Sequence, residues 1–421
     1  MRKLVRHSFT LATLLLPLAL AQTPATKLTL AECIRLAESV PSAVSIARQE
    51  ARIAALGVNI ARTAFLPQSS FTGGTIYNSP TANGSRFVAL NGQHEYISTA
   101  NVGLEIDTSG RLRAAYARAK IDRDIAEAGS RISTRDLRRA VTTSYYSLLA
   151  ARKLSEAAET SFNEARSFET KTRTLFGGGE VAQADVVKAS AQAVSFDQLR
   201  KAALLDSRLA NQELASFWTE DVDKSLDVED TLTEAPPNDE ATARAYLRRP
   251  EFLILDLQKQ GFQLDAKREH SALLPQVNFN YQYGIDANVY SYKERGSAVF
   301  ATVNVPIFDW FKARSHTQQF TLKAEQVNNI RSLTERAFSR EYENAKARAT
   351  SLFEQSKLAE TQIKLYEDNL RLSQLRYQGG EGPALDVVVA QTQLQQARAN
   401  YYTTLFQYAN ARAALEVARG Q

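Results

Sequence analysis

The residues able to do chemistry are few, acidic and present in duplicate. "LFGGGEVAQADVV" spans Leu175–Val187 and "RYQGGEGPALDVV" spans Arg376–Val388. Each phrase carries an aromatic residue, glycines, a glutamate and then Asp-Val-Val. Asp185 and Asp386 fall just inside the start of a following helix, where the dipole favours a carboxylate. On the residues alone, the structural and the functional role of Asp386 stand level. "GGGE" is not a phosphate loop, because it lacks Lys-Ser/Thr and follows a helix rather than a strand. Four histidines and one cysteine leave no set for a Cys/His zinc site or a disulfide framework. Cys33, at an apolar position of "LTLAECIRLAES", reads as a small buried hydrophobe. Neither G-x-S-x-G nor H-E-x-x-H occurs. The expectation is a protein that is not an enzyme and needs no cofactor and no metal.

The first residues read as an address. Arg2, Lys3 and Arg6 precede "FTLATLLLPLAL", and "ALA" at 19–21 supplies small residues ahead of Gln22. This is the pattern of a secretory signal peptide over 1–21. No cysteine stands directly after the expected cut, where Gln22 lies, which argues against a lipid anchor. Removing three cations takes the net charge from +5 to about +2, so the basic pI carries no nucleic-acid signal. The remaining charges are interspersed as on solvated helix faces. Beyond residue 21 no apolar run is long enough for a transmembrane helix.

The doubled phrase belongs to a longer duplication. A shift of 201 residues takes Asp185 to Asp386, Phe176 to Tyr377, Ala189 to Ala390 and Leu104 to Val305. "FLPQSSF" at 65–71 corresponds to "LLPQVNF" at 273–279. Such a period is too long for a solenoid and indicates a duplicated structural unit. The first repeat is expected over 22–235 and the second over 236–421. Each runs helix, β-hairpin, then a long helical hairpin. The first helix is expected over about 28–65, and over about 239–274 in the second repeat.

"LPQ" closes those helices, because proline disfavours a helical residue before it. The next residues alternate. In "QVNFNYQYGID", Val277, Phe279, Tyr281, Tyr283 and Ile285 share one face, and Gln276, Asn278, Asn280 and Gln282 the other. "EYISTANVGLEID" and "VFATVNVPIFD" alternate likewise, and "QSSFTGGTIYN" does so more weakly. The spacing predicts β-hairpins over about 67–107 and 275–308. Strands of about ten alternating residues rich in aromatics have the length and pattern of outer-membrane β-barrels. A two-faced soluble sheet shares the alternation. Four strands cannot close a barrel, and open edges are not tolerated in lipid. Strands in a membrane would therefore require several chains to share one barrel.

From about 110 to 176, and from about 312 to 378, proline is absent and good helix formers dominate. Each stretch predicts a helix of roughly 100 Å. Gly177, Gly178 and Gly179, and then Gly379, Gly380 and Gly382, break these helices by allowing positive φ. The hairpin tips are thus expected at 177–184 and 378–385. Returning helices are expected over about 184–218 and 384–419. The acidic segment 219–240, ending in Pro236-Pro237, reads equally as part of a belt around the helices or as a solvated linker.

"LTLAECIRLAESVPSA", the "FLPQ" and "LLPQ" junctions, "VPIFDWFKAR" and "RYQGGEGPALDVVVAQTQLQQAR", in this order, resemble the TolC-type outer-membrane efflux proteins. The resemblance covers almost the whole chain after the leader. It implies a mainly α fold with a small β part, built as a homotrimer. Four strands per chain would complete a shared twelve-stranded outer-membrane barrel, with long hairpins forming an α-barrel through the periplasm. It also implies docking of a periplasmic adaptor and an inner-membrane transporter at the hairpin tips. In this pattern Asp386 matches an entrance aspartate, Tyr377 a tyrosine of the closing network, and Asp185 the first-repeat acid of that network. The family's second acid is Val389 here, and its arginine is Gly382. The gate is thus expected to rely more on packing and less on salt links. The only methionine is Met1, which argues against a methionine-lined copper route. The alternative function is a periplasmic coiled-coil scaffold or adaptor without a pore.

Overall fold

The computed structural model describes residues 27–84, 93–232 and 244–420. The expected signal peptide, part of the first strand-connecting loop and Pro236-Pro237 lie outside the described residues. In chain order the elements are α1 (Leu30–Ser39), α2 (Ala43–Thr63), β1 (Gln68–Tyr77), β2 (His94–Ile106), α3 (Arg111–Gly177) and α4 (Gln183–Ala215). The second repeat adds α5 (Pro250–Ser271), β3 (Gln276–Ala287), β4 (Arg295–Asn304), α6 (Lys312–Gln378) and α7 (Ala384–Ala418). The order helix, two strands and two long helices thus occurs twice.

Three expected boundaries move, each at a proline. The helix expected over 28–65 is two helices. Pro41 lies between them, Val40 is extended at φ −102°, and Ser42 caps the second helix. In the second repeat α5 begins only at Pro250, whose missing N–H is harmless in the first helical turn. Strand β4 ends at Asn304, because Pro306 donates no ladder hydrogen bond.

The four strands form one antiparallel sheet in the order β1-β2-β3-β4. Its register puts Val102, Tyr281 and Val299 in one row, and Leu104, Phe279 and Ala301 in the next. These rows form one apolar face, and Asn101 beside Gln282, with Glu105 beside Asn278, marks the polar one. Tyr281, Tyr283 and Val299 are exposed on the apolar face. The outer edges of β1 and β4 have no partner strand among the described residues. Within the sheet, the pairing of β2 with β3 joins the two repeats.

Two helices of 67 residues, α3 and α6, run the full length of the α-part. The shorter helices fill in beside them. Towards the sheet the neighbours run α2-α3-α5-α6, and towards the tips α4-α3-α7-α6. Among the described residues the helices therefore form one layer with an unpartnered helix at each edge. Its cores lie where the layer is thickest. Val141, Tyr145 and Leu148 of α3 pack with Cys33 of α1 and Leu214 of α4. Tyr342 of α6 packs with Phe252, Tyr408 and Leu415. Burial pushes the Cys33 thiol up to about 11, with help from Glu32, as suits a structural rather than a reactive cysteine.

The segment after α4 is not a free linker in its described part. Leu226 and Val228 are buried. Leu28 donates to the Asp227 carbonyl at 2.7 Å and accepts from the Glu229 amide at 3.0 Å. The Tyr145 hydroxyl donates to the Glu229 carbonyl at 2.7 Å. The acidic segment is thereby stitched to the start of the chain around the middle of the long helices.

Candidate functional site

Both hairpin tips are built by the same backbone device. In the first, the Gly179 amide donates to the Phe176 carbonyl and the Glu180 amide to the Leu175 carbonyl. In the second, Gly380 donates to Tyr377 and Glu381 to Arg376. These paired bonds satisfy the last helical carbonyls and need a left-handed residue after the cap. Gly179 (φ +77°) and Gly380 (φ +74°) supply it. The other four glycines do not adopt positive φ; Gly178 and Gly379 are right-handed caps and Gly177 ends α3. The sequence could not separate these roles within a glycine run.

The two tips lie side by side and share one core. Tyr377, Ala384, Val387 and Leu394 of the second hairpin pack with Phe168 and Ala189 of the first, and Leu175 and Val181 close over them. The Tyr377 ring meets Phe168 edge-on at 5.2 Å. Its hydroxyl is buried and bonded to nothing among the described residues. Tyr377 and Asp185, expected in one closing network, are not joined within the chain. Asp185 is half-buried and pairs with Lys188 at 3.5 Å. Asp386 is half-buried in the first turn of α7. Its amide donates to the Pro383 carbonyl at 3.1 Å. A β-carbon at Gly382 would sit 3.8 Å from the Asp386 carboxylate. Gly382, where the family pattern has an arginine, brings no side chain to this carboxylate. Val389, one turn on, is 44 % exposed.

Polar contacts between the hairpins continue upward from the tips. Ser161 donates to Gln395 at 2.7 Å, and Gln192 to Thr392 at 2.9 Å. Arg398 bridges Glu164 at 3.3 Å and Glu367 at 3.4 Å. Burial raises the pKa of Glu164 despite the nearby Arg398. None of these residues stood out in the sequence, because their partners are far apart along the chain.

Gln391 was also missed. It is 1 % exposed on α7, and both its amide atoms are buried without a partner among the described residues. Since the chain itself encloses it, another molecule cannot reach it unless α7 moves. An unsatisfied buried polar atom costs roughly 1–3 kcal/mol. Gln391→Leu is therefore expected to stabilise the tip by about that much, read as a higher melting temperature of the detergent-solubilised protein. A lower melting temperature would show that the amide is bonded in the native state.

Among the described residues no cluster of metal-ligating side chains forms, and no helix is long and apolar enough to cross a membrane.

A family model described as outer membrane efflux protein matches residues 37–218 and 242–421, one match in each repeat. No curated protein matches significantly. Solved structures with the same fold include the CmeC outer membrane channel of Campylobacter jejuni. It is 16 % identical, with 93 % of this chain and 85 % of that one covered at a TM-score of 0.80. The outer membrane protein VceC of Vibrio cholerae is 16 % identical over 93 % of this chain and 96 % of its own, at 0.80. The open state of the MtrE outer membrane channel of Neisseria gonorrhoeae is 17 % identical over 93 % and 88 %, at 0.77. With both repeats matched and the sheet and helical layer in place, this chain belongs to the outer membrane efflux protein family.

Proposed function

We propose that three copies of this chain close into one exit duct. The strands form a shared barrel in the outer membrane, and the helices form a tunnel reaching to a periplasmic adaptor and an inner-membrane transporter. The observation that carries this reading is a pair of complementary open edges. The sheet is unpaired at β1 and β4. The helical layer ends in α2 and α4 on one side and α6 on the other. Both helical edges expose apolar residues every seventh position: Ile46, Ile53 and Ile60 on α2, Val187 and Val194 on α4, and Leu358, Leu365 and Leu372 on α6. A strict seven-residue repeat is the seam of a left-handed coiled coil and requires a facing helix. A second copy supplies it, and the ring closes as the sheet closes. A periplasmic scaffold would leave the four amphipathic strands without a purpose.

In this ring the second-repeat tips form the periplasmic entrance, with Asp386 as an acidic ring and Val389 as an apolar one. The glycine turns of both tips present the surface for the adaptor. The test is planar-bilayer conductance of the purified protein in an asymmetric salt gradient. Discrete steps with cation preference are expected. Asp386→Ala is expected to raise conductance and weaken that preference. An unchanged preference would remove Asp386 from the entrance.

A further inference from the structure

The duplication that builds this chain leaves one place filled in the first repeat and open in the second. A shift of 201 residues takes Leu214 to Leu415 and Asn211 to Arg412. The two leucines are buried in corresponding cores. Asn211 is 8 % exposed and anchors the acidic segment that follows α4. Its side-chain amide donates to the Lys224 carbonyl and accepts from the Leu226 amide, each at 2.9 Å. Basic side chains of α3 and α4 hold the rest of that segment. Arg152 donates to the Leu226 carbonyl. Lys153 pairs with Asp230 at 2.8 Å, and Arg208 with Asp223 at 3.0 Å. A non-helical acidic peptide laid on a basic helical surface is thus part of this fold.

Arg412 has no such covering. It lines a cleft of about 880 Å³ between α1, α3 and α7, together with Arg131, Arg139 and Arg248. No ion pair reaches any of these four guanidinium groups among the described residues. Arg135 and Arg138 line the cleft too, but are already matched by Glu251 and Glu38. Glu416 is the one acid in the described lining. Elsewhere on the long helices cations sit beside acids, as Arg173 does with Glu169 and Lys364 with Glu360. Unmatched guanidinium groups gathered in one cleft repel one another, and carboxylates entering it would relieve this with charge-assisted hydrogen bonds. Leu30, Ile34 and Tyr146 give the cleft an apolar side, which suits a peptide better than a bare ion.

We propose that this cleft is a docking groove for an acidic peptide of a partner protein, laid along the helices as the chain's own acidic segment is in the first repeat. Arginine clusters are a recurrent means of reading acidic peptides. The cleft belongs to a single chain, so this inference stands apart from the shared barrel.

The probe is a fluorescein-labelled peptide with the sequence of residues 219–232, which carries six acids and one lysine. Its binding to the full chain, purified in detergent, is read by fluorescence anisotropy. Binding is expected, and it should weaken as salt is raised. An analogue with every acid changed to its amide should bind at least roughly tenfold more weakly. Arg248→Glu combined with Arg412→Glu should also lose roughly tenfold in affinity. Arg208→Glu, at the first-repeat site, should leave it unchanged. No binding to wild type, or equal binding to the double variant, overturns the proposal. Loss through Arg208→Glu alone would mean exchange with the chain's own segment. Full displacement by equimolar inorganic tripolyphosphate would mean a general anion site. Either result also overturns the peptide groove. The neutral analogue needs only wild-type protein, so equal binding of the two peptides refutes the proposal even where the double variant fails to fold.

Discussion

Gly284→Ala is expected to abolish the assembled channel. Gly284 lies in β3 opposite Thr99 of β2, on the seam that joins the two repeats. Its backbone is at φ +156°, a region open essentially to glycine alone and worth roughly 1–3 kcal/mol in strain to any other residue. A β-carbon built there would stand 2.0 Å from the Ser98 carbonyl oxygen and 2.7 Å from the Thr99 Cα. Neither atom belongs to a flexible side chain, so relief requires β2 and β3 to separate. Together these effects should exceed about 3 kcal/mol, or more than a hundredfold in the folded fraction. The measurement is the yield of heat-resistant oligomer from outer membranes. Gly74→Ala is the control: a β-carbon there meets nothing within 4 Å, and a yield close to wild type is expected.

Replacing Arg249 with leucine should destabilise the helical part by about 3 kcal/mol, the usual cost of stripping one partner from a buried ion pair. Arg249 is 6 % exposed. Its guanidinium pairs with Glu251 and Glu341, each at 3.0 Å, and lies 3.6 Å over the Phe338 ring. Glu251 in turn pairs with Arg135 of α3 at 2.9 Å. One network thus ties α3 of the first repeat to α5 and α6 of the second. Burial alone would push the Glu251 carboxyl up, but hydrogen bonds from Arg135 and Arg249 outweigh it and bring it down to about 2. A depressed carboxylate stabilises the fold fully above its unfolded value near 4.5, and that contribution is lost as pH falls towards 2. Melting temperature should therefore fall in this acid window for wild type, and fall less for Glu251→Gln. Arg249→Lys keeps the charge but not the two-pronged geometry, and should cost less than leucine. Equal melting of wild type and Arg249→Leu would show the network to be dispensable.

Much of this architecture is written locally in the chain. The long helices announce themselves by uninterrupted helix formers between glycine breaks, and α6 spans the residues its composition marks out. The strands are legible because Phe279, Tyr281 and Tyr283 alternate with asparagine and glutamine. Pro41 and Pro250 carried the information for the broken and shortened helices, since each fixes an extended residue before it. Other features were not legible, for a physical reason. Arg249, Glu251 and Arg135 meet across more than a hundred residues of chain, and periodicity says nothing about such encounters. Gln391 has the local signature of any helical polar residue; only the enclosing helices make its amide an orphan. The left-handed backbone at Trp310 and Phe311 runs against local preference, so no reading of residue types would place it there. The acids at the tips were visible from spacing alone. Their surroundings, Lys188 beside Asp185 and Gly382 beside Asp386, required the fold.

The claim on which the rest depends is that neighbouring chains complete one another's sheet. Cysteine at Ser70 on the outer edge of β1 is combined with cysteine at Phe300, Thr302 or Asn304 of β4 in turn, and the protein is oxidised in native outer membranes. The account predicts covalent trimers at one of these registers, because β4 of each chain must lie beside β1 of the next. Cross-links only within single chains, or none at any register, would contradict a shared barrel.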